Sequence, residues 1–258
     1  MDVVYVFQHS PFGDEELRYS LRSLQKHLRC LRKVWIFGDR PAFLTDDESL
    51  IEHVPHSAVA RIGDFPTPVT NLFRQIFLSS LIPELDAEYL FFSDDFILIA
   101  DLPRESARKT RYLEDLAQID NRGRGLWKDS LWRTYDVLRR LGYPGYNCET
   151  HTPAYLRRRW VLNAYCDFKD YTTNDRWFGM LGLTAILNHV VKHENIGLTH
   201  LASEGTRAGF WHRQPAYEAV VEACRNRVFF NFDDDAYGSG IQRFLSERFP
   251  EVSVYEIS

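Results

Sequence analysis

Asp94 and Asp95 are adjacent carboxylates directly after an apolar, aromatic run, Glu88-Tyr-Leu-Phe-Phe92. Such a run reads as a buried strand, and ligands of open α/β sheets bind beyond the carboxyl ends of the strands. Two acids there repel one another unless something positive compensates. A divalent cation that prefers hard oxygen ligands, Mg²⁺ or Mn²⁺, is the natural partner. Held there, it can bridge a diphosphate and neutralise a leaving group. A turn with two solvated acids, or a helix cap, is the plain alternative for so short a motif. Glu149 and His151 lie in a polar run, Glu149-Thr-His-Thr-Pro153. The imidazole is a candidate third metal ligand or base, and the carboxylate a candidate base. The same run also fits a helix start, with Thr152 as cap and Pro153 in the first turn.

Other candidates rest on position. Gln8 and His9 follow the first strand and Asp39 the second, where a nucleotide base or ribose can be held; a satisfied loop residue is the alternative for each. Arg18 and Arg22 lie one turn apart on one predicted helix, Asn71 and Arg74 on another, so each pair shares a face. Arg grips phosphate in bidentate fashion; an ion-paired helix face explains the same spacing. Asp233-Asp-Asp235 reads as a solvated cap of the helix after it. His200 and His212, on either side of Ala202-Ser-Glu-Gly-Thr206, are left without a role. The chain has no Walker loop, Rossmann glycine fingerprint, zinc quartet or nucleophile elbow.

The elements that must position these residues are legible at the start. Val3 to Phe7 reads as a strand, Leu17, Leu21, Leu24 and Leu28 as the apolar stripe of a helix, and Lys33 to Phe37 as a second strand. This β-α-β opening predicts two parallel strands with a right-handed crossover. A strand over Leu50 to Val54, a helix with Val69, Leu72, Phe73, Ile76 and Phe77 on one face, and the Glu88 strand follow. After Pro103 the charge rises. Helices are expected over Trp127 to Leu141 and Pro153 to Tyr165, and Trp177 to Trp211 resists parsing. The end reads as helix, strand, helix, strand: Tyr217 to Cys224, Val228 to Phe232, Gly240 to Arg248 and Val252 to Ile257. The expected architecture is a single α/β domain over residues 1–258, with a central mostly parallel sheet flanked by helices. Residues 1–103 would bind a nucleotide and 104–258 a second substrate.

The 258 residues are 45% hydrophobic and 26% charged, enough for one sizeable core. A net charge of −5 excludes a wholly basic coat. Between Arg104 and Arg159, however, thirteen Lys and Arg stand against seven Asp and Glu, an excess of +6. Tyr112, Trp127, Trp132, Tyr135 and Tyr155 are interleaved there, a pattern suited to a polyanion with bases to stack, or to an ordinary surface over a core. The four cysteines form no CxxC pair and read as reduced, mostly buried thiols of a cytoplasmic protein. No run approaches a membrane span.

Several segments carry a resemblance. Asp2-Val-Val-Tyr-Val, Glu16-Leu-Arg-Tyr-Ser-Leu-Arg-Ser-Leu24, Val34-Trp-Ile-Phe-Gly38, the turn Ser93-Asp-Asp-Phe96, Glu149-Thr-His-Thr-Pro153 and Phe249-Pro-Glu-Val-Ser-Val-Tyr-Glu256 resemble a family of phage-encoded glycosyltransferases. More distantly, the start is similar to the stealth-type capsular sugar-phosphate transferases. Ser93 stands where the phage family often has Asn. The resemblance touches most of the chain, most strongly residues 1–100. It implies a GT-A-type fold with a DxD-like metal motif, Mn²⁺ or Mg²⁺, and a nucleotide-sugar donor, a UDP-sugar. It implies Asp95 as the direct metal ligand, with His151 as a further one, and Asp94 at the sugar or ribose. Asn71 and Arg74 recur at similar positions in the family. Phage relatives suggest a hydroxymethylated base of phage DNA as acceptor, which would have to be extruded from the duplex. The alternatives are a virion or surface glycan or protein, sugar-phosphate transfer, or a non-catalytic binding module. The sugar, the stereochemistry and the oligomeric state are not legible.

Overall fold

The computed structural model describes residues 1–62 and 65–257. The chain opens with β1 (Asp2–Phe7), α1 (Glu15–His27) and β2 (Val34–Gly38), then β3 (Ile51–Val54), α2 (His56–Ala60), α3 (Leu72–Ser79) and β4 (Glu88–Phe92). β1 pairs in parallel with both β2 and β4, and β2 in parallel with β3. Val3, Val4, Tyr5, Val34, Trp35 and Ile36 are buried without alternation, as in a parallel sheet covered on both faces. On α1, Leu17, Leu21 and Leu24 are fully buried at helical spacing.

β5 (Ile97–Leu98) follows β4 after a four-residue corner. α4 (Arg104–Ala107), β6 (Arg111–Tyr112) and β7 (Glu114–Asp115) lead to α5 (Leu126–Arg140) and β8 (Tyr146–Asn147). β9 (Ala154–Arg157) then returns to the sheet antiparallel to β4, placing Leu156 opposite Tyr89, for an order β3-β2-β1-β4-β9. α6 (Arg158–Phe168), α7 (Gly182–Glu194), β10 (Thr199–His200), α8 (Leu201–Glu204), β11 (Arg207–Phe210), α9 (Tyr217–Ala223), β12 (Phe229–Phe232) and α10 (Ser239–Arg248) complete the chain. β11, β12 and β5 form a second sheet, with β12 parallel to β11 and antiparallel to β5. The architecture is therefore mixed α/β, with a central mostly parallel sheet flanked by helices. Leu156, Trp160 and Ile186 from beyond residue 103 share one buried cluster with Val4, Tyr89 and Phe91.

Two expected elements differ. The helix expected from Pro153 begins only at Arg158, because Ala154 to Arg157 pair with the edge of β4. An unpaired β4 edge in the interior would leave backbone polar groups unsatisfied. Val252 to Ile257 forms no strand; it makes a single bridge, Leu44 to Glu256, and Glu256 instead receives both Nε and Nη2 of Arg22 at 2.8 Å. The four cysteines are unpaired, and only Cys148 is fully buried, while Cys166 is exposed. Among the described residues no helix is long and apolar enough to cross a membrane.

Candidate active site at the corner between the two sheets

The chain leaves the main sheet at Phe92 and enters the second at Ile97, so Ser93-Asp94-Asp95-Phe96 is the corner between them. Buried serines of α1 pin it. Ser20 Oγ, 2.7 Å from Tyr5 OH, donates to the Phe96 carbonyl, and Leu98 N donates to Ser23 Oγ at 3.0 Å. A helix thus fixes the turn from beneath, and the two carboxylates project into a cavity of about 370 Å³.

The cavity gathers acids from four places. Asp94 and Asp95 come from the corner, Glu16 from the first turn of α1, Glu149 from the loop before β9, and Asp233 and Asp234 from the turn after β12. Asp94 and Asp95 are half-exposed to the cavity yet screened from bulk water. Loss of hydration raises the Asp94 carboxyl to about 6, helped by the negative charges of Asp234 and Asp14. Asp95 is pushed well above the usual carboxylate range by the same desolvation, then by Asp94 and Glu16. Glu16 is raised to about 7, by burial first and by Asp94 next. These shifts share a sign and a cause: negative charge is crowded where water is scarce.

Other polar groups complete the set. Asn231 on β12 is fully buried beside Asp95, and neither of its amide atoms has a hydrogen-bond partner. His151 sits in the left-handed backbone region at φ 51°, and burial with the neighbouring Arg207 lowers its imidazole to about 4. It is therefore neutral near pH 7 and has a lone pair to offer. Glu149, buried and raised by desolvation, accepts the Thr184 N–H at 2.9 Å and so caps the first turn of α7. His212, Asp233 and Asp235 bring one potential ligand atom each within 4.8 Å of one another. Several carboxylates, an orphan amide and a neutral imidazole form a donor set that suits a hard divalent cation.

The structure brings four of the sequence candidates together: Asp94, Asp95, Glu149 and His151 all line this cavity. Gln8, His9 and Asp39 lie exposed along the carboxyl edge of β1 and β2. There Asp39 accepts the His9 N–H at 3.0 Å, and His9 Nδ1 lies 2.9 Å from Asp14. The others point elsewhere. Arg18 pairs with Glu15 and Glu256 and lies over the Phe43 ring. Asn71 caps α3, accepting the Arg74 N–H and donating to the Asp175 carbonyl, both at 3.2 Å. Arg74 Nη2 donates to the Thr172 carbonyl at 2.8 Å. These three side chains hold neighbouring segments and do not reach the cavity.

Six of the thirteen cations of the basic stretch are ion-paired, mostly with acids that lie outside it. Arg108 and Arg157 pair with Glu88, Lys109 and Arg111 with Glu204, Arg122 with Asp136 and Arg159 with Glu194. Arg158 donates to the carbonyls of Ser80, Pro83 and Leu85.

Sequence reasoning missed Glu16, Asn231, Asp233, Asp234 and Arg176. The signal for Glu16 was present: Glu16, Ser20, Ser23 and His27 form a second stripe at helical spacing beside the leucines, and all four are buried. Of the solvated-cap reading of Asp233 to Asp235, Asp234 and Asp235 are indeed exposed, but α10 begins only at Ser239, Asp233 accepts the Ala236 N–H within its own turn, and Asp233 and Asp234 also line the cavity. Trp177, the first residue of the stretch that resisted parsing, and Arg176 just before it line the cavity with Trp127.

No protein-family model matches the chain. Among solved structures it is similar to an active-site mutant of LgtC (TM-score 0.49) and to galactosyltransferase LgtC in complex with donor and acceptor sugar analogs (TM-score 0.47). Identity is 14% in each case, and 98% of either chain is covered. Chemistry must be argued from the side chains themselves.

Proposed function

We propose that this protein is a metal-dependent glycosyltransferase of the GT-A type, which moves a sugar from a nucleotide-sugar donor to an acceptor hydroxyl. The observation that carries the reading is the corner at Asp94 and Asp95, where uncompensated carboxylates face a cavity at the carboxyl end of a parallel sheet. Asp95 would hold Mn²⁺ or Mg²⁺, with Asp94, His151 and the amide of Asn231 around it. When bound, such an ion supplies positive charge against a departing diphosphate.

The chain's own groups do the rest. Arg176, which has no carboxylate partner among the described ion pairs, lines the cavity and can take up phosphate charge. Trp127 and Trp177 offer flat faces on which a sugar or base stacks. Asp94 is placed to accept hydrogen bonds from the donor sugar or ribose. Glu149 is placed to take the proton of an acceptor hydroxyl if the reaction inverts the anomeric centre. Gln8, His9 and Asp39, on the same strand edge, would meet the base of the nucleotide, a uridine in the favoured reading.

The acceptor we propose bears phosphate, with a modified base of DNA as the specific candidate. Its support is the cations of α5 and the loop before it that have no carboxylate partner among the described ion pairs: Arg124, Lys128, Arg133, Arg139 and Arg140. Lys128 lies over the Trp127 ring, and Arg133, Arg140 and Trp132 line a hollow of about 630 Å³ beside α5, together with Asp129 and Asp136. A phosphate-poor glycan would have no need of them.

Thermal shifts with nucleoside diphosphates and their sugars, with and without Mn²⁺, test the donor site. A ligand that binds only the folded state must raise the melting temperature. A metal-dependent shift with one nucleotide, lost in Asp95→Asn, is the expected result. No shift with any nucleotide removes the glycosyltransferase reading.

A further inference from the structure

α7 carries a second set of metal-ligating side chains, at the end away from the cavity. Its first turn faces the active site: Leu183 lines the cavity, and the Thr184 N–H is held by Glu149. The nine residue steps from Thr184 to His193 place its last turn about 13.5 Å farther on. There His189 and His193, one turn apart, lie on one helix face with ring centroids 4.4 Å apart. Asp167 of α6 stands opposite, its Oδ2 3.1 Å from His189 Nε2. Tyr143 OH donates to the same carboxylate oxygen at 2.8 Å and lies 3.2 Å from His193 Nε2. One potential ligand atom from each of Asp167, His189 and His193 lies within 4.8 Å of the other two.

These distances come close to those of a tetrahedral ion. With bonds of about 2.0–2.1 Å to nitrogen and oxygen, neighbouring ligand atoms around zinc stand about 3.3 Å apart. Small side-chain rotations would therefore bring the three atoms onto one centre. His189 is buried, while Asp167 and His193 are exposed, which leaves a fourth position open to water. Two imidazoles with one carboxylate select zinc over the harder Mg²⁺. A hydroxyl that donates to a ligating carboxylate, as Tyr143 does here, is the outer contact that orients such a ligand. The nearby ammonium of Lys192 lies over the Tyr143 ring and donates to the Leu141 carbonyl at 3.1 Å.

We propose that Asp167, His189 and His193 form a zinc site that clasps α6 to α7, distinct from the cation site of the cavity and independent of the function assigned there. The competing account is a clasp made by hydrogen bonds alone, since Tyr143 can donate to Asp167 and His193 to Tyr143.

The two accounts separate by experiment. The full chain carrying Asp94→Asn, Asp95→Asn and His212→Gln, which disarms the cavity and its rim, is dialysed against Zn²⁺ and titrated with Co²⁺. One equivalent of zinc retained, with the intense visible absorption of four-coordinate cobalt, is expected. His193→Gln, at an exposed position, should fold and weaken zinc binding at least about 100-fold, as loss of a direct ligand exceeds the 10–100-fold cost of losing an outer contact. Asp167→Asn, which keeps the hydrogen bonds in outline but removes the charge, should do the same. Equal zinc uptake by the parent and both variants, or no four-coordinate cobalt spectrum in the parent, overturns the site in favour of the hydrogen-bonded clasp.

Discussion

Two acidic turns open into the same cavity, and they differ in how their charge is met. Ser93-Asp94-Asp95 follows β4 and Asp233-Asp234-Asp235 follows β12, each after a strand of buried aromatics. Asp233 is satisfied locally: it accepts the His212 N–H at 3.0 Å and the Ala236 N–H at 3.0 Å, and lies 3.2 Å from His212 Nδ1. Asp94 and Asp95 have no comparable set of donors; desolvation drives both carboxyls upward, with Asp234 and Asp14 adding to the rise of Asp94, and Asp94 and Glu16 to that of Asp95. A carboxylate with backbone donors stabilises its own turn. A pair without them stores repulsion that a cation can release on binding. The same sequence signature thus marks a structural turn in one place and a candidate metal corner in the other.

The strongest way to break this contrast is to neutralise one acid of each turn. Asp95→Asn should lower turnover on the order of a thousandfold, because a charge held at the reacting centre in a water-poor site is worth several kcal/mol. It should leave the melting temperature of the metal-free protein unchanged or higher. Asp233→Ala should do the reverse: a loss of about 1–2 kcal/mol in stability as two backbone donors lose their acceptor, with a smaller fall in turnover. Steady-state kinetics and denaturant unfolding of the two variants decide. Near-normal turnover in Asp95→Asn would sink the metal-centred mechanism.

A second test reads the stored repulsion through pH. Folding raises Asp94 to about 6 and Glu16 to about 7, above the ordinary carboxylate range near 4. A carboxyl raised by folding favours the native state while it is protonated, and this contribution is lost as pH rises through the folded value. The metal-free protein should therefore lose stability between about pH 4 and pH 7. Glu16→Gln should flatten the upper part of that fall, and saturating Mn²⁺ should flatten most of it. His151, lowered by folding from about 6.5 to about 4, works in the opposite direction: the unfolded chain binds a proton there that the folded one does not, so His151 makes stability rise with pH across this window, and His151→Gln should steepen the fall. A pH dependence in Glu16→Gln identical to that of the parent would show that the Glu16 carboxyl is compensated after all.

What the sequence made legible follows the range of the interactions involved. β1, α1, β2 and β4 declare themselves through runs and stripes of apolar residues, and the Asp94-Asp95 corner follows from a strand end alone. β9 did not, because Ala154 to Arg157 is a strand only by pairing with β4, some seventy residues earlier, and local chemistry after Pro153 favours a helix. Asn231 was hidden for the same reason: it is a polar residue on an otherwise apolar strand, and only the meeting of β5 and β12 brings it beside Asp95. The arginines 157 to 159 misled in the opposite direction: a run of charge in sequence is spent on Glu88, Glu194 and main-chain carbonyls in space.

The smallest expected effect concerns a residue whose two readings differ. Asn71 recurs in the family that the sequence resembles, which marks it as a donor contact, yet its amide is occupied on both sides. Its Oδ1 takes the Arg74 N–H at the start of α3, and its Nδ2 reaches the Asp175 carbonyl. Gly179 packs so closely on that amide that a Cβ there would lie 2.3 Å from Nδ2. Removing an N-cap costs about 1 kcal/mol, so Asn71→Ala should lower stability by that amount while nucleotide affinity stays within about twofold. The neighbouring Leu72, Arg176 and Trp177 do line the cavity, so a modest loosening of the 172–177 loop is the route by which any effect on binding would arise. Asn71→Asp separates the cases. It keeps the cap acceptor, loses the donor to the Asp175 carbonyl and adds charge that would repel a diphosphate. Nucleotide affinity unchanged from Asn71→Ala confines Asn71 to the cap, whereas a further tenfold loss of affinity would return it to the donor site.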